Sequence, residues 1–197
     1  MIRIGLVGDI GSGKSYVANN FGYPVFNADL EVGKLYKKNR KIFIKLNKVL
    51  PNYFNSFPVD KRDVSRAILA NETNLKKIIK IIHQEIRKKL FFFLKKNKNK
   101  KILILDIPLL IENKLHKKKD ILIYIQSKKF DILKRLKKRK NYNKKIIENL
   151  RKSQLPLEFK RNKSDYVIKN DFKKLNLKKR VKIIKKKILS NHERNST

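Results

Sequence analysis

The stretch MIRIGLVGDIGSGKSYVANN, residues 1–20, decides the fold of this chain. It begins with a short apolar run that predicts a buried β-strand, passes through a glycine-rich turn and ends in residues that favour a helix. Gly8, Gly13, Lys14 and Ser15 match G-x-x-x-x-G-K-[ST] at every fixed position. Because a predicted strand precedes the turn and a predicted helix follows it, we interpret the stretch as a phosphate-binding loop rather than a tight turn that needs glycine only for steric reasons.

Each residue type in this loop has a chemical reason for its place. Glycine allows positive φ angles and close approach of the backbone, so that amide groups and the helix N-terminus can face phosphate oxygens. We predict that Lys14 reaches the terminal phosphates and that the Ser15 hydroxyl binds Mg²⁺, which prefers oxygen ligands. The predicted phosphate-binding residues are Gly8, Gly11, Ser12, Gly13, Lys14, Ser15 and Tyr16.

Composition limits the remaining classes of protein. The 197 residues suffice for one sizeable domain, and two independent folds are not expected. The sequence has no cysteine, which excludes a disulfide framework and a thiolate metal site. No apolar run approaches the roughly 18 residues that would cross a membrane, and the N-terminus lacks a signal-peptide pattern. We therefore expect a cytoplasmic protein with no membrane partner.

The formal net charge of +37 raises the alternative of a nucleic-acid-binding protein. Most of the positive charge is lysine spread along the whole chain, in company with abundant isoleucine and asparagine, and all three have A/T-rich codons. A base bias of the genome is our hypothesis for this composition, and it would suffice to explain it, whereas a dedicated reader of nucleic acid usually clusters arginine or aromatic residues on one element. We expect no specific nucleic-acid partner.

Four further apolar stretches predict strands, at residues 23–27, 102–106, 121–125 and 164–168. Helical patterns separate them, and this alternation predicts an α/β fold with a five-stranded parallel sheet covered on both faces. With the phosphate loop on the first strand, the pattern predicts a P-loop kinase-like fold. Residues from about 30 to 98 are helical in pattern and form a predicted insert. In this insert Phe91, Phe92 and Phe93 most simply fill the core, and the alternative is an exposed group that holds an apolar part of a ligand.

Carboxylates follow two of the predicted strands. Parallel sheets place ligands at the carboxyl ends of their strands, so Asp29 is a candidate catalytic base, with a helix N-cap as an equally good alternative. Asp106 ends the apolar run ILILD and takes the Walker B position, which predicts a carboxylate for Mg²⁺.

Two arginines suggest a lid. Arg135 and Arg139 are four residues apart in a predicted helix and would lie on one face. Arginines that close over a nucleotide neutralise charge during phosphoryl transfer, and solvated surface is the alternative for this pair.

An ordered set of motifs resembles the dephospho-coenzyme A kinase family. The set consists of GDIGSGKS, NAD (27–29), VDKR (59–62), IIHQEI (81–86), DIPLLIEN (106–113), RLKKR (135–139), Gln154 and SDYVIKN (164–170). The PLLIEN segment and the final D-x-V-I-x-N distinguish this family from other small-molecule P-loop kinases. The resemblance implies a single domain over residues 1–197, with a core at about 1–29, 100–136 and 160–197, a helical substrate region at 30–99 and a lid at 137–159.

The same resemblance implies ATP-dependent phosphorylation of the ribose 3′-hydroxyl of dephospho-coenzyme A, the last step of coenzyme A synthesis, with ATP and Mg²⁺ as cofactors. By this likeness Asp29 is the base that accepts the hydroxyl proton, and Lys14 and Arg139 are further catalytic residues. Arg135 contacts the nucleotide from the lid side, and Asn170 lies near adenine. We expect a monomer or a weak homo-oligomer that acts on this small molecule.

The chain departs from the family pattern at Asp9, Tyr16, Asn27, Lys61 and Gln84. Asp9 stands where a second glycine is usual and places a negative charge near the phosphates. None of the departures removes Lys14, Ser15 or Asp29, so we expect activity. Two alternatives stay open: a P-loop kinase for another nucleotide or small alcohol, and a basic nucleic-acid-binding P-loop protein. The second predicts tight, salt-steep binding to polynucleotide and leaves Asp29 unexplained.

Overall fold

The computed structural model describes residues 1–140 and 142–194. The elements in chain order are β1 (Ile2–Gly8), α1 (Lys14–Asn20), β2 (Val25–Asn27), α2 (Ala28–Lys38), α3 (Arg40–Val49), α4 (Lys61–Ala70), α5 (Glu72–Lys96), β3 (Ile102–Asp106), β4 (Ile121–Gln126), α6 (Lys129–Lys137), α7 (Lys144–Lys152), α8 (Leu157–Asn162), β5 (Tyr166–Lys169) and α9 (Lys174–Arg194). In this part of the chain, no helix is long and apolar enough to pass through a lipid bilayer.

The strands form one parallel sheet in the order β2-β3-β1-β4-β5. The central strand β1 pairs with β3 on one side, where Ile2 lies opposite Ile102, and with β4 on the other, where Ile4 lies opposite Ile121. Every residue of β1 and of β3 is buried, as expected for parallel strands covered on both faces. The predicted five-stranded α/β sheet is confirmed.

The residues divide into two compact units, and the first contains the described residues of Met1–Phe26, Asn97–Tyr142 and Gln154–Thr197. Its core packs side chains of α1 and α9 against the sheet, with Phe21 and Val181 among them. A buried ion pair joins Arg3 of β1 to Asp120, just before β4, with Nη2 and Oδ2 at 2.9 Å. This unit carries the whole of the phosphate loop.

The second unit consists of Asn27–Lys96 and Asn143–Ser153. Its longest helix, α5, packs against α2, α3 and α4, and α7 packs against α4. The apolar stripe of α5 is buried at Leu75, Ile78, Ile82, Ile86 and Leu90. Buried Asn74 donates from Nδ2 to the carbonyl of Ala67 at 3.0 Å, which joins the first turns of α5 to the end of α4.

The phenylalanines of α5 contradict one prediction. Phe91 and Phe92 are 61% and 64% exposed and do not fill the core. The reason is helical geometry, because Leu90 takes the buried position of that turn and the next two residues point away from it.

Two strands begin later than the sequence pattern predicts, and the first is β2, which begins at Val25 and not at residue 23. The last strand begins at Tyr166 and ends at Lys169, two residues later than predicted at its start. The residues Asn141, Tyr142 and Asn143 favour a turn and predict a break between two helices, and Asn141 lies outside the described residues. Asn143 is the N-cap of α7, with its Oδ1 accepting from the Ile146 N–H at 3.0 Å.

Candidate active site

The loop between β1 and α1 needs its glycines for both conformation and space. The φ angles of Gly8, Gly11 and Gly13 are 142°, 83° and 93°, in the region that favours glycine. A Cβ atom on Gly8 would lie 2.7 Å from the carbonyl oxygen of Ile125, and one on Gly13 would lie 2.4 Å from Nδ2 of Asn170. Any other residue would displace neighbours that hold the loop.

Lys14 begins α1 and is only 9% exposed. Its Nζ donates to the carbonyl of Gly8 at 3.1 Å and to that of Asp9 at 2.8 Å. These two hydrogen bonds hold the ammonium group against the backbone at the start of the loop. A positive charge is thereby held where the glycine pattern predicts phosphate.

Two side chains from neighbouring strand ends hold the loop at Ser12. Asn170 follows β5, is buried, and donates from Nδ2 to the Ser12 carbonyl at 2.8 Å, while the Ser127 hydroxyl donates to the same oxygen at 3.0 Å. The Asn170 Oδ1 accepts from the Phe172 N–H at 2.9 Å. Asn170 therefore fixes the conformation of the phosphate loop, a role that the sequence did not indicate.

The donor set fits a phosphate ligand with a hard cation. Ser15 is exposed in the first turn of α1, and Asp106 is buried at the end of β3, next to β1 in the sheet. The Ser12 hydroxyl is fully buried and makes no hydrogen bond within residues 1–140 and 142–194. Since buried polar groups are usually hydrogen-bonded, this hydroxyl fits a site where a ligand oxygen is its partner. Tyr16 is 37% exposed on the same turn of helix. Hydroxyl and carboxylate oxygens are the ligands that Mg²⁺ prefers.

Asp9 brings a negative charge into this loop. It is buried, and its Oδ1 accepts from the Ile10 N–H at 2.7 Å. On the adjacent strand β4, burial raises the pKa of the Tyr124 phenol, and the Asp9 carboxylate adds to that shift, whereas Arg161 opposes it. The negative charge of Asp9 therefore acts on the Tyr124 phenol of β4 as well as on the loop itself.

The two predicted lid arginines do not share a helix face. Arg135 lies on α6 with its guanidinium carbon 4.4 Å from the ring centroid of Phe172. Helix α6 ends at Lys137, and Arg139 lies in the turn beyond it, where its N–H donates to the Leu136 carbonyl at 3.0 Å. The prediction of one face is wrong because Leu136 is the last buried residue of α6, and only charged side chains follow it.

Asp29 belongs to the second unit, where it is an exposed residue in the first turn of α2. The N-cap of this helix is Asn27, whose Oδ1 accepts from the Leu30 N–H at 2.9 Å. The alternative of Asp29 as N-cap is therefore wrong. A carboxylate in the first turn is stabilised in its charged form by the helix dipole.

The structure also contains a buried polar cluster that the sequence did not reveal. Lys160 of α8 is 1% exposed, and its Nζ lies 2.7 Å from Glu112 Oε1 and 3.1 Å from Gln154 Oε1. The same Glu112 oxygen accepts from the Leu155 N–H at 3.0 Å. Glu112 and Gln154 were visible as parts of family motifs, but one lysine among so many gave no signal.

The parallel sheet with a glycine loop after its first strand, and a lysine held across that loop, define a P-loop kinase. Comparison with known protein families identifies the family within this class. The model of the dephospho-CoA kinase family matches residues 2–176. The chain belongs to the dephospho-CoA kinase family.

Individual relatives agree with this assignment. The dephospho-CoA kinase of Wolbachia sp. subsp. Brugia malayi is 36% identical over 118 residues, which cover 57% of this chain and 60% of that protein. The match thus spans about 60% of the relative's length. A crystal structure from Thermus thermophilus has a TM-score of 0.76 at 25% identity and covers 96% of this chain and 97% of its own. The dephospho-CoA kinase of Campylobacter jejuni has a TM-score of 0.62 at 22% identity, with 94% and 96% covered, and shares the fold.

Proposed function

We propose that this protein transfers the γ-phosphoryl group of ATP to the ribose 3′-hydroxyl of dephospho-coenzyme A, which gives coenzyme A and ADP. The observation that carries the proposal is the ammonium of Lys14, held across a glycine loop in a chain of the dephospho-CoA kinase family. We propose a small-molecule acceptor, no specific nucleic-acid partner, and action in the cytoplasm as a monomer or weak homo-oligomer.

The proposed roles follow from the chemistry of phosphoryl transfer. The 3′-oxygen attacks the γ-phosphorus, the bond to the bridging oxygen of ADP breaks, and the hydroxyl proton passes to the carboxylate of Asp29. Lys14 and the loop amides stabilise the charge on the phosphates. Mg²⁺, when bound, neutralises part of that charge, and Ser15 and Asp106 are the residues proposed to hold it. Arg135 and Arg139 act from the lid side.

The helical residues 30–99 and the segment 137–159 have separate proposed tasks. We assign the first to the acceptor and the second to a lid. The second segment includes α7, which begins at the N-cap Asn143, and Gln154, whose Oε1 accepts from the Lys160 ammonium at 3.1 Å.

The reaction is tested by coupled ADP release with ATP, Mg²⁺ and dephospho-coenzyme A, with AMP and adenosine as alternative acceptors. Turnover with dephospho-coenzyme A is expected to exceed turnover with either alternative. Turnover with AMP or adenosine in its place would contradict the proposed acceptor and point to another small-molecule kinase.

The base is tested by Asp29→Asn in the same assay. Loss of a general base is expected to lower kcat roughly 10²–10⁴-fold without a change in melting temperature. Glu31→Gln is the matched control, because Glu31 lies in the same first turn of α2. Equal losses in both variants would show an effect of helix charge rather than of proton transfer.

A further inference from the structure

The outer side of α5 near its C-terminus carries an exposed aromatic pair that the proposed reaction does not use. Phe91 and Phe92 are 61% and 64% exposed, and their ring centroids lie 5.7 Å apart at an interplanar angle of 73°. Leu90, directly before them, is buried. Large apolar side chains in contact with each other on a surface mark a site of interaction more often than single exposed ones do.

Lysines share the face with these rings. Lys88 precedes Phe91 and Phe92 by three and four residues, and Lys95 follows them by four and three. Residues three and four apart are neighbours on a helix surface, so the two ammonium groups flank the two rings. Both lysines are exposed. We name Lys88, Phe91, Phe92 and Lys95 the aromatic-basic face.

The surrounding sequence strengthens the positive charge of this face. Residues 87–101 contain eight lysine or arginine residues and no acidic residue. The nearest acidic side chain on the helix, Glu85, lies 3.0 Å from the Lys88 ammonium and is the partner of that one lysine. Lys95 and Lys96 are both exposed at the end of the helix. The occupant of the face therefore carries negative charge and accepts apolar rings.

We propose that the aromatic-basic face attaches the protein reversibly to a membrane surface that contains anionic lipid. Lysines near such a surface are attracted by its negative potential, and aromatic rings enter the boundary between head groups and acyl chains. The expectation of no membrane partner rested on the lack of a spanning segment. A face that lies on a bilayer needs no such segment, and it goes beyond the proposed kinase activity.

The geometry of the rings favours lipid over single-stranded nucleic acid. Nucleic acid binds by stacking successive bases on the faces of separate aromatic side chains. Here the edge of one ring meets the face of the other, so the pair offers no two parallel platforms. Insertion into a lipid interface sets no such condition on the angle between rings.

The chain has no tryptophan, so that a single introduced tryptophan reports on its own position. The tryptophan emission of the Phe92→Trp variant is measured at 0.15 M salt in three separate mixtures. These contain vesicles of phosphatidylglycerol and phosphatidylcholine, vesicles of phosphatidylcholine alone, or polyuridylate. The expected result is a blue shift of emission on the anionic vesicles only. Leu175→Trp is the control, because Leu175 is 75% exposed in a lysine-rich part of α9 and is expected to show no shift.

A second pair of variants separates insertion from charge. Sedimentation with anionic vesicles at 0.15 M and 0.5 M salt compares Phe91→Ser/Phe92→Ser with Leu175→Ser, and none of these changes alters a charge. We expect the double variant to bind roughly tenfold more weakly or worse at 0.5 M salt, because only the apolar contribution survives screening. Its melting temperature is expected to stay as in the parent.

Two results would overturn the proposal. One is an unshifted emission of Phe92→Trp on anionic vesicles together with equal sedimentation of the double variant and the parent. The other is a larger emission change with polyuridylate than with vesicles at the same salt, which would assign the face to nucleic acid.

Discussion

Among the lysines that the structure describes, two are buried, and their surroundings differ. Lys160, 1% exposed, lies 2.7 Å from a carboxylate oxygen of Glu112. Lys14, 9% exposed, donates to the backbone carbonyls of Gly8 and Asp9. The first belongs to an ion pair inside the fold, and the second rests on a loop whose glycines leave room for phosphate. Burial of a cation therefore does not by itself mark a functional site, whereas the identity of its partners does.

The largest effect is expected where the internal ion pair is broken. Lys160→Met leaves Glu112 without its cation in a buried place, which should lower the free energy of unfolding by about 3–5 kcal/mol. Urea unfolding followed by circular dichroism measures it. The double variant Lys160→Met/Glu112→Gln should recover much of the loss, since glutamine still accepts from the Leu155 N–H. A single variant as stable as the parent would show that this pair does not hold the fold.

Removal of the other buried lysine should spare stability and impair catalysis. Lys14→Met takes away the positive charge that we propose stabilises the transferring phosphates, and we expect kcat to fall roughly 10²–10³-fold. The coupled assay measures the rate, and urea unfolding checks the fold. Lys119→Met, at an exposed position of the same unit, is the control. If Lys14→Met unfolds as readily as Lys160→Met, the distinction between the two lysines fails.

Removal of the Asp9 carboxylate, which lies in the same loop as Lys14, should have a smaller effect, and it should strengthen ATP binding rather than weaken function. Asp9→Ser removes a carboxylate from the loop and should tighten ATP binding by at least about 1 kcal/mol, roughly fivefold, because this is the interaction of two unit charges about 4 Å apart in bulk water and Asp9 is buried. Isothermal titration at 0.05 M and 0.5 M salt measures it, and the gain should shrink as salt rises. Weaker binding would show that the bond from Asp9 to the Ile10 N–H matters more to the loop than the charge does.

The smallest effect is expected at Asp171, a partly exposed carboxylate outside the two lysine sites. The side-chain amide of Asn176 is the main cause that lowers the pKa of Asp171, and Arg180 contributes in the same direction. Its stabilisation is therefore present above the ordinary pKa of aspartate and lost as pH falls through the lowered value. Melting temperatures of Asp171→Asn and the parent should differ slightly at pH 7 and converge as pH falls through the lowered pKa of Asp171. A constant difference would exclude titration of Asp171 as the cause.

The parts that the sequence predicted well are those whose signal is local. Apolar runs marked all the strands, and glycine spacing marked the phosphate loop, because both depend on residues that are adjacent in the chain. Phe91 and Phe92 were misplaced since three consecutive apolar residues on a helix cannot all face one core. Lys160 and Asn170 were missed as structural groups, because their partners Glu112 and Ser12 lie far away in sequence and a composition rich in lysine hides a single meaningful one.

The strand order has a consequence for the timing of biosynthesis. Ile2 pairs with Ile102, so the central strand leaves the ribosome a hundred residues before its first neighbour, a delay of roughly 5–20 s at about 5–20 residues per second. Asn170, which holds the loop at Ser12, follows later still. The nascent chain therefore carries an unpaired apolar strand for seconds, and its nucleotide-binding loop is held in its final conformation only after Asn170 has been synthesised.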